Sequence, residues 1–433
     1  MSDEHRAPNL DPALVRGLTR PRLSRRSFLR GAGVGAGAIG LSALLDACSV
    51  GSSGSGNAGT DWTEYWNDHA KPTGSLNFAN WPIYIDHVQG ANGGSHPSLD
   101  YFQKQTDIQV DYRPVINENA SFFATIEPSL QAGKDTGWDL MVMSTGTLEQ
   151  LELFSNGWLT PLDQSAMTNF RKYARAEAKD PPYDPGNKYT MAWQSGFTGI
   201  GVNTKYVDMS TLEHSWNDLW NPKFKAKVGM FADAEELGST GLLINGVDPS
   251  KSTPADWEKA AQTLDQQKDD GIVRAYYEQG YITKLQDGDT WISQAWSGDV
   301  LTSQLLGYPE LQFFLPKEGA MYWTDAMMIP LQASNPRDAM TYMDFVYDPL
   351  VQAMIDDWVW YLSPVPEAQQ VLQKYVDEGK NFYEGLAPDK NVAESTIVFP
   401  TSEIWAQTRN YYDYKNIADA QHWNSVFQPV YQS

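Results

Sequence analysis

Four short segments set aromatic rings beside acidic or hydroxyl-bearing side chains, NWPIYID (80–86), FADAEE (231–236), QAWSGD (294–299) and MYWTDA (321–326), and a fifth, MSTGT (143–147), offers hydroxyls at a strand end. Carboxylates in the company of indoles suit the capture of an organic cation. An ammonium buried without a partner costs several kcal/mol, whereas each methylene gains about 0.8 kcal/mol on leaving water. An indole face serves both needs, packing on CH₂ groups and adding roughly 0.5–2 kcal/mol per cation–π contact. Four methylenes contribute only about 3 kcal/mol against an association cost of roughly 4–15 kcal/mol, so charge pairing must supply the rest. The plainer alternative is that these rings fill the core, that the carboxylates are solvated strand ends, and that Ser144 and Thr145 merely cap a helix.

Motifs for bond-making chemistry are absent. The six histidines, His5, His69, His87, His96, His214 and His422, stand in no HExxH or other close metal-ligand spacing, so no metal is expected. There is no GxSxG elbow and no Walker loop. No cofactor and no enzymatic activity are expected, although the abundance of Asp and Glu leaves open a secreted hydrolase with a carboxylate pair.

The elements that must position the five segments alternate along the chain. LNFANW (76–81), IQVDYRPV (108–115), WDLMVMS (138–144), KVGMFAD (227–233), WISQAWS (291–297) and LQFFLP (311–316) read as strands. SLDYFQKQTD (98–107), SFFATIEPSLQAG (121–133) and DWEKAAQTLDQQKDDG (256–271) carry apolar residues at helical spacing. Such alternation predicts an α/β fold with mainly parallel sheets, and two sets of strands predict two sheets. At 433 residues two lobes are expected. Residues 189–203 and 318–330 are the predicted crossings, which place a hinge and an interlobe cleft where strand C-termini converge. Lobe 1 is expected to comprise 75–194 and about 325–370, and lobe 2 to comprise 195–324 and about 371–433.

The order and spacing of the five segments, with SWNDLWNPKFKAKV (215–228), resemble the spermidine/putrescine-binding proteins of ABC importers from about residue 75 to about 365. The resemblance implies a two-lobed periplasmic-binding-protein fold of type II that closes on a polyamine and docks on a permease with separate ATPase subunits. It implies that Trp81 and Tyr84 line the first-lobe wall, with Ser144 on the loop after the third strand. Asp233 and Glu236 would receive one ammonium end, Trp296 would cover the methylenes, and Trp323 and Asp325 would supply the second indole and the other carboxylate. Tyr361 would add a hydroxyl contact. Two positions depart from the family: Gly146 replaces an aromatic residue and Ile83 an acidic one, so the cleft is expected to be wider at that end and one carboxylate poorer. An oligosaccharide ligand, which also uses Trp faces and Asp/Glu acceptors, is the rival within transport.

The N-terminus reads as an address. SRRSFLR (24–30) carries adjacent Arg25 and Arg26 before a 15-residue apolar run, 31–45, a pattern that resembles a twin-arginine signal peptide. Leu45-Asp46-Ala47-Cys48 resembles a lipobox, which makes Cys48, the single cysteine, the expected lipidation site. Residues 49–74, opening with GSSGSGNAGT (51–60), are expected to form a flexible tether and linker. Without residues 1–48 the formal charge moves from -22 to -25, which disfavours nucleic acid and anionic lipid as partners. The expectation is an exported monomer, periplasmic or held at the outer face of the cell membrane only by its lipid.

Overall fold

The structure, a computed structural model, describes residues 59–88, 94–278, 280–382 and 387–432. The predicted signal peptide, Cys48 and residues 49–58 of the predicted tether lie outside the described residues. The remainder of the expected linker corrects that expectation: Trp62–Asp68 is a helix capped by Asp61, and Trp66 is buried in the first core with its indole N–H donating to the Pro161 carbonyl at 3.0 Å. Ten strands form one mixed sheet: β1 Ser75–Ala79, β2 Gln109–Arg113, β3 Leu140–Ser144, β4 Thr190–Asn203, β5 Val228–Phe231, β6 Val273–Tyr277, β7 Ile292–Trp296, β8 Leu311–Phe314, β9 Ala320–Met328 and β10 Thr408–Asn410. The main path runs β2-β1-β3-β9-β4-β7-β5-β6, with β8 on β4 and β10 on β9. Pairing is parallel among β1, β2 and β3 and among β5, β6 and β7, and antiparallel where β9 and β4 join the two sets.

The two predicted crossings are therefore β4 and β9, but they correct the expectation of two separate sheets. All fourteen residues of β4 are buried. A strand that long serves both halves, and β9 runs antiparallel beside it from Thr190↔Met328 to Thr198↔Met321, with a bulge between Ala192 and Gln194. The join is made by backbone hydrogen bonds, so one continuous sheet results.

Each half has its own core. Leu76, Phe78, Phe102, Trp193, Tyr342 and Ile355 pack in the first, with Phe122, Met141 and Met328 on the opposite sheet face. Met230, Trp216, Trp257, Leu264 and Trp423 fill the second. Leu372, Val392, Val398 and Phe399 belong to the first core, although the sequence placed everything after about 371 in the second lobe; the chain returns to the second half only beyond Phe399. Aromatic richness is largely a matter of core filling: Trp66, Trp193, Trp216, Trp257, Trp360 and Trp423 are all buried. Among the described residues no helix is long and apolar enough to cross a membrane.

Candidate functional site

At the join, the C-terminal ends of strands from both halves bring side chains together. Ser144 closes β3 and lies opposite Asp325 of β9 in the antiparallel register. Asp325, only 8% exposed, accepts a 2.8 Å bond from the Tyr84 hydroxyl and a further one from Ser144. Burial raises the Asp325 pKa, and these two hydroxyls oppose the rise. Trp81 stands at the same wall, its indole N–H donating to the Val142 carbonyl at 3.0 Å.

From Tyr84 the site continues through rings. Tyr84 meets Tyr361 edge-on at 5.9 Å, and Trp323 meets Tyr361 at 5.3 Å. The Tyr361 hydroxyl donates to Asp299 Oδ1 at 2.7 Å, and Tyr281 donates to Asp299 Oδ2 at 2.9 Å. Burial lifts the Asp299 pKa against both bonds. Two glycines make room. A Cβ on Gly298 would overlap the Tyr361 ring, and one on Gly196 would overlap Trp323 Cζ2, so the indole can lie across bare β4 backbone. The buried Trp323 Nε1 has no hydrogen-bond partner.

The other end is built on the helix Ala234–Ile244. Asp233 is its N-cap and accepts the Glu235 and Glu236 amides, both at 2.9 Å, which supports the charged carboxylate at the positive helix end. Water reaches Asp233, yet the protein mass around it still raises its pKa overall. Glu236 is 7% exposed. Its Oε1 accepts from Thr198 at 2.8 Å and from the Trp296 indole at 3.0 Å, while its buried Oε2 has no partner. Burial first, and then the charge of Asp233, push its pKa to about 7 against the lowering effect of Trp296, Thr198 and the nearby Tyr411 hydroxyl. Trp296 is stacked on Phe231 at 4.5 Å and meets Tyr281 edge-on at 5.5 Å. Beside this end, Glu235 accepts from Tyr414 at 3.2 Å; burial and Asp233 hold its pKa well above the usual range.

The structure thus joins Tyr84, Ser144, Glu236, Trp296, Trp323, Asp325 and Tyr361 into one contiguous surface, with Trp81 behind its first end and Asp233 capping its second. Cys48 lies outside the described residues. Sequence reading missed Asp299, although its segment was singled out, because one Asp in the first turn of the helix Ser297–Leu305 looks like an ordinary helix start. It also missed Tyr281, Thr198 and Tyr411, whose hydroxyls matter only once the fold delivers them. Both departures have structural correlates: a Cβ at Gly146 would meet nothing within 4 Å, and Ile83 holds φ 60, a left-handed conformation costly for a β-branched residue.

Among the described residues no ion pair includes Asp233, Glu236, Asp299 or Asp325, and no group of three or more His, Cys, Asp or Glu could hold a metal ion. Carboxylates bonded only by neutral donors and framed by ring faces, at the join of two separately cored halves, have the composition of a site of the solute-binding class. A family described as bacterial extracellular solute-binding protein matches residues 142–383, more than half of the chain, and the chain belongs to that family, whose members are substrate-binding proteins of transport systems. It is 28% identical over 316 residues to the spermidine/putrescine-binding periplasmic protein of Salmonella typhimurium, covering 73% of this chain and 84% of the relative. It is 30% identical over 327 residues to the putrescine-binding periplasmic protein PotF of Escherichia coli, covering 71% and 83%. The fold is shared with a spermidine/putrescine ABC transporter substrate-binding protein, PotD, from Streptococcus pneumoniae, at a TM-score of 0.66 and 22% identity over 83% of this chain and 98% of that one.

Proposed function

We propose that the chain captures a polyamine of the putrescine/spermidine class outside the cytoplasmic membrane and delivers it to the permease of an ABC importer. The observation that carries this reading is Glu236, a buried carboxylate with one oxygen bonded to Trp296 and Thr198 and the other unpartnered. A buried acceptor of that kind calls for a donor with positive charge, and the relatives named above are polyamine-binding proteins. Trp81, Tyr84, Ser144, Asp233, Glu236, Trp296, Trp323, Asp325 and Tyr361 are the proposed ligand contacts, and Asp299 joins them. The carboxylates bind and orient; no bond is made or broken.

The proposed lobes are 75–194 with about 325–399, and 195–324 with about 400–433, closing about the β4 and β9 crossings. Export by the twin-arginine route and acylation of Cys48 would hold a monomer at the outer face of the cell membrane, with the segment between Cys48 and the helix Trp62–Asp68 as tether. Mass spectrometry of the membrane fraction, native and Cys48→Ser, tests the anchor: a diacylglyceryl adduct absent from the variant is expected, and an unmodified thiol overturns it. Calorimetric titration with putrescine and spermidine, with maltose and glutamate as controls, tests the ligand. Saturable heat from a polyamine is expected; heat from maltose alone would establish the oligosaccharide reading instead.

A further inference from the structure

A second buried carboxylate lies at the join, among residues that none of the ligand contacts includes. Asp356, one turn from the end of the helix Pro349–Val359, is 0% exposed. Its Oδ1 accepts from Gln352 Nε2 at 2.7 Å and from Gln194 Nε2 at 3.4 Å, whereas its Oδ2 is buried without a partner. Gln194 stands at the bulge of β4, opposite Asp325 of β9. It too is 0% exposed, and its Oε1 is a second buried acceptor without a partner. Two joined side chains thus each present one bonded atom and one orphaned oxygen, an arrangement that folded proteins rarely tolerate.

No cation in contact relieves it. Among the described residues no ion pair includes Asp356; buried Arg175 pairs with Glu177 at 3.3 Å and donates to the Ser363 carbonyl at 2.8 Å. The charged groups that face Asp356 are Arg175, which favours the carboxylate, and Asp357, which repels it; beyond them stand Glu177, Asp389 and the Tyr322 hydroxyl. Burial outweighs Arg175 and the neighbouring Ser363, Gln352 and Gln194 side chains and lifts the Asp356 pKa to about 7. A carboxylic acid has one O–H to give, and a single proton satisfies both orphaned oxygens.

We infer that Asp356 is held as the neutral acid, its Oδ2–H donating to Gln194 Oε1, and that the acid–amide pair so closed positions Tyr361 in the cleft. The route from pair to ring is short. Trp360, in the left-handed conformation at φ 58, donates its N–H to the Asp356 carbonyl at 3.0 Å. Leu362 exchanges both backbone hydrogen bonds with Ser195, at 2.9 and 3.2 Å. The residues on either side of Tyr361 are therefore tied to the helix that bears Asp356 and to the strand that bears Gln194, and the pair locks helix to strand. An ionised Asp356 would set two acceptors against each other and part them. Asp356 is a positioning residue; that Tyr361 meets a polyamine rests on the reading above, and the proton does not.

The test compares the purified protein with Asp356→Asn, whose amide supplies both the donor and the acceptor of the neutral acid, and with Asp356→Leu, which supplies neither. The infrared difference between the unaltered protein and Asp356→Asn at pH 6 is expected to show the carbonyl stretch of a protonated carboxylic acid, and its absence overturns the inference. The folded state binds the proton up to about 7 and the unfolded state only to 3.8, so stability is lost as pH rises through that window. Asp356→Asn should accordingly melt with the unaltered protein at pH 4 and above it at pH 8; the same displacement at both pH values overturns the proton. In calorimetry with spermidine at pH 7, Asp356→Asn is expected within about threefold of the unaltered affinity and Asp356→Leu weaker by more than about tenfold. A folded Asp356→Leu protein that binds as the unaltered one does overturns the positioning role. Should Asp356→Leu fail to fold, Gln194→Met, which removes the pair from the strand side, takes its place with the same two outcomes. Failure of spermidine to bind the unaltered protein removes the polyamine reading and leaves the proton to the infrared band and the melts, which decide it alone.

Discussion

The two ends of the cleft carry the same formal charge in different states of completion. Asp325 already holds two hydroxyl donors, Tyr84 and Ser144. Glu236 holds two donors on one oxygen and none on the other, with a pKa near neutrality. The first end is satisfied before ligand arrives, and the second is finished only by it. A binding site can thus place its selectivity at one end and its responsiveness to conditions at the other.

The comparison can be broken first at Asp325. Asp325→Asn should weaken polyamine binding by about 2–5 kcal/mol, the usual effect of removing one partner of a buried charge pair, at every pH from 6 to 8; calorimetry that finds less than tenfold loss would mean that this end is not an ammonium site. Glu236→Gln should also weaken binding, yet stabilise the ligand-free protein. Its folded pKa, about 7, stands above the ordinary 4.5, so the folded state binds the extra proton between those values and stability falls as pH rises through that window. Neutralising the side chain should therefore raise stability at pH 8 by up to about 3 kcal/mol and leave pH 4 unchanged; thermal melts at the two pH values decide.

Smaller effects sharpen the contrast. Gly196→Ala should displace the Trp323 indole from its seat on β4, an overpacking change of about 1–3 kcal/mol; its signature is a lower melting temperature with altered tryptophan fluorescence. Lowering pH from 8 to 6 should weaken polyamine binding by up to about tenfold below pH 7, because Glu236 must shed a proton to meet an ammonium. The Glu236→Gln profile should be flat over the same range. Tyr411→Phe, which removes a hydroxyl shared with Thr198 at 3.3 Å, should cost about 0.5–1.5 kcal/mol of affinity, and an equal loss in Glu236→Gln would place its action elsewhere.

What could be read in advance follows from how local each signal is. β4 and β9 were visible as long apolar runs punctuated by glycine, and Trp296, Trp323 and Asp325 stood out because ring and carboxylate are neighbours in sequence. Asp299 and Tyr281 become partners only across eighteen positions and a sheet face, which no period of two or 3.6 encodes. β6, Val273–Tyr277, escaped notice because its edge position leaves it half-buried, without the apolar run of a central strand. The segment 371–399 was assigned to the wrong half because amphipathic helices show that they pack, not against what. Continuity of the sheet was equally hidden, since it depends on pairing across more than a hundred residues.

The first core is completed by Tyr342, Ile355 and Phe399, long after Phe78 and Trp193 have been made. At a synthesis rate of about 5–20 residues per second, Trp193 precedes Phe399 by roughly 10–40 s. For that interval β1 and β3 have only the cover that precedes Trp193, from residues such as Phe102, Phe122 and Ile126, so the first core reaches its native packing only when synthesis is nearly over.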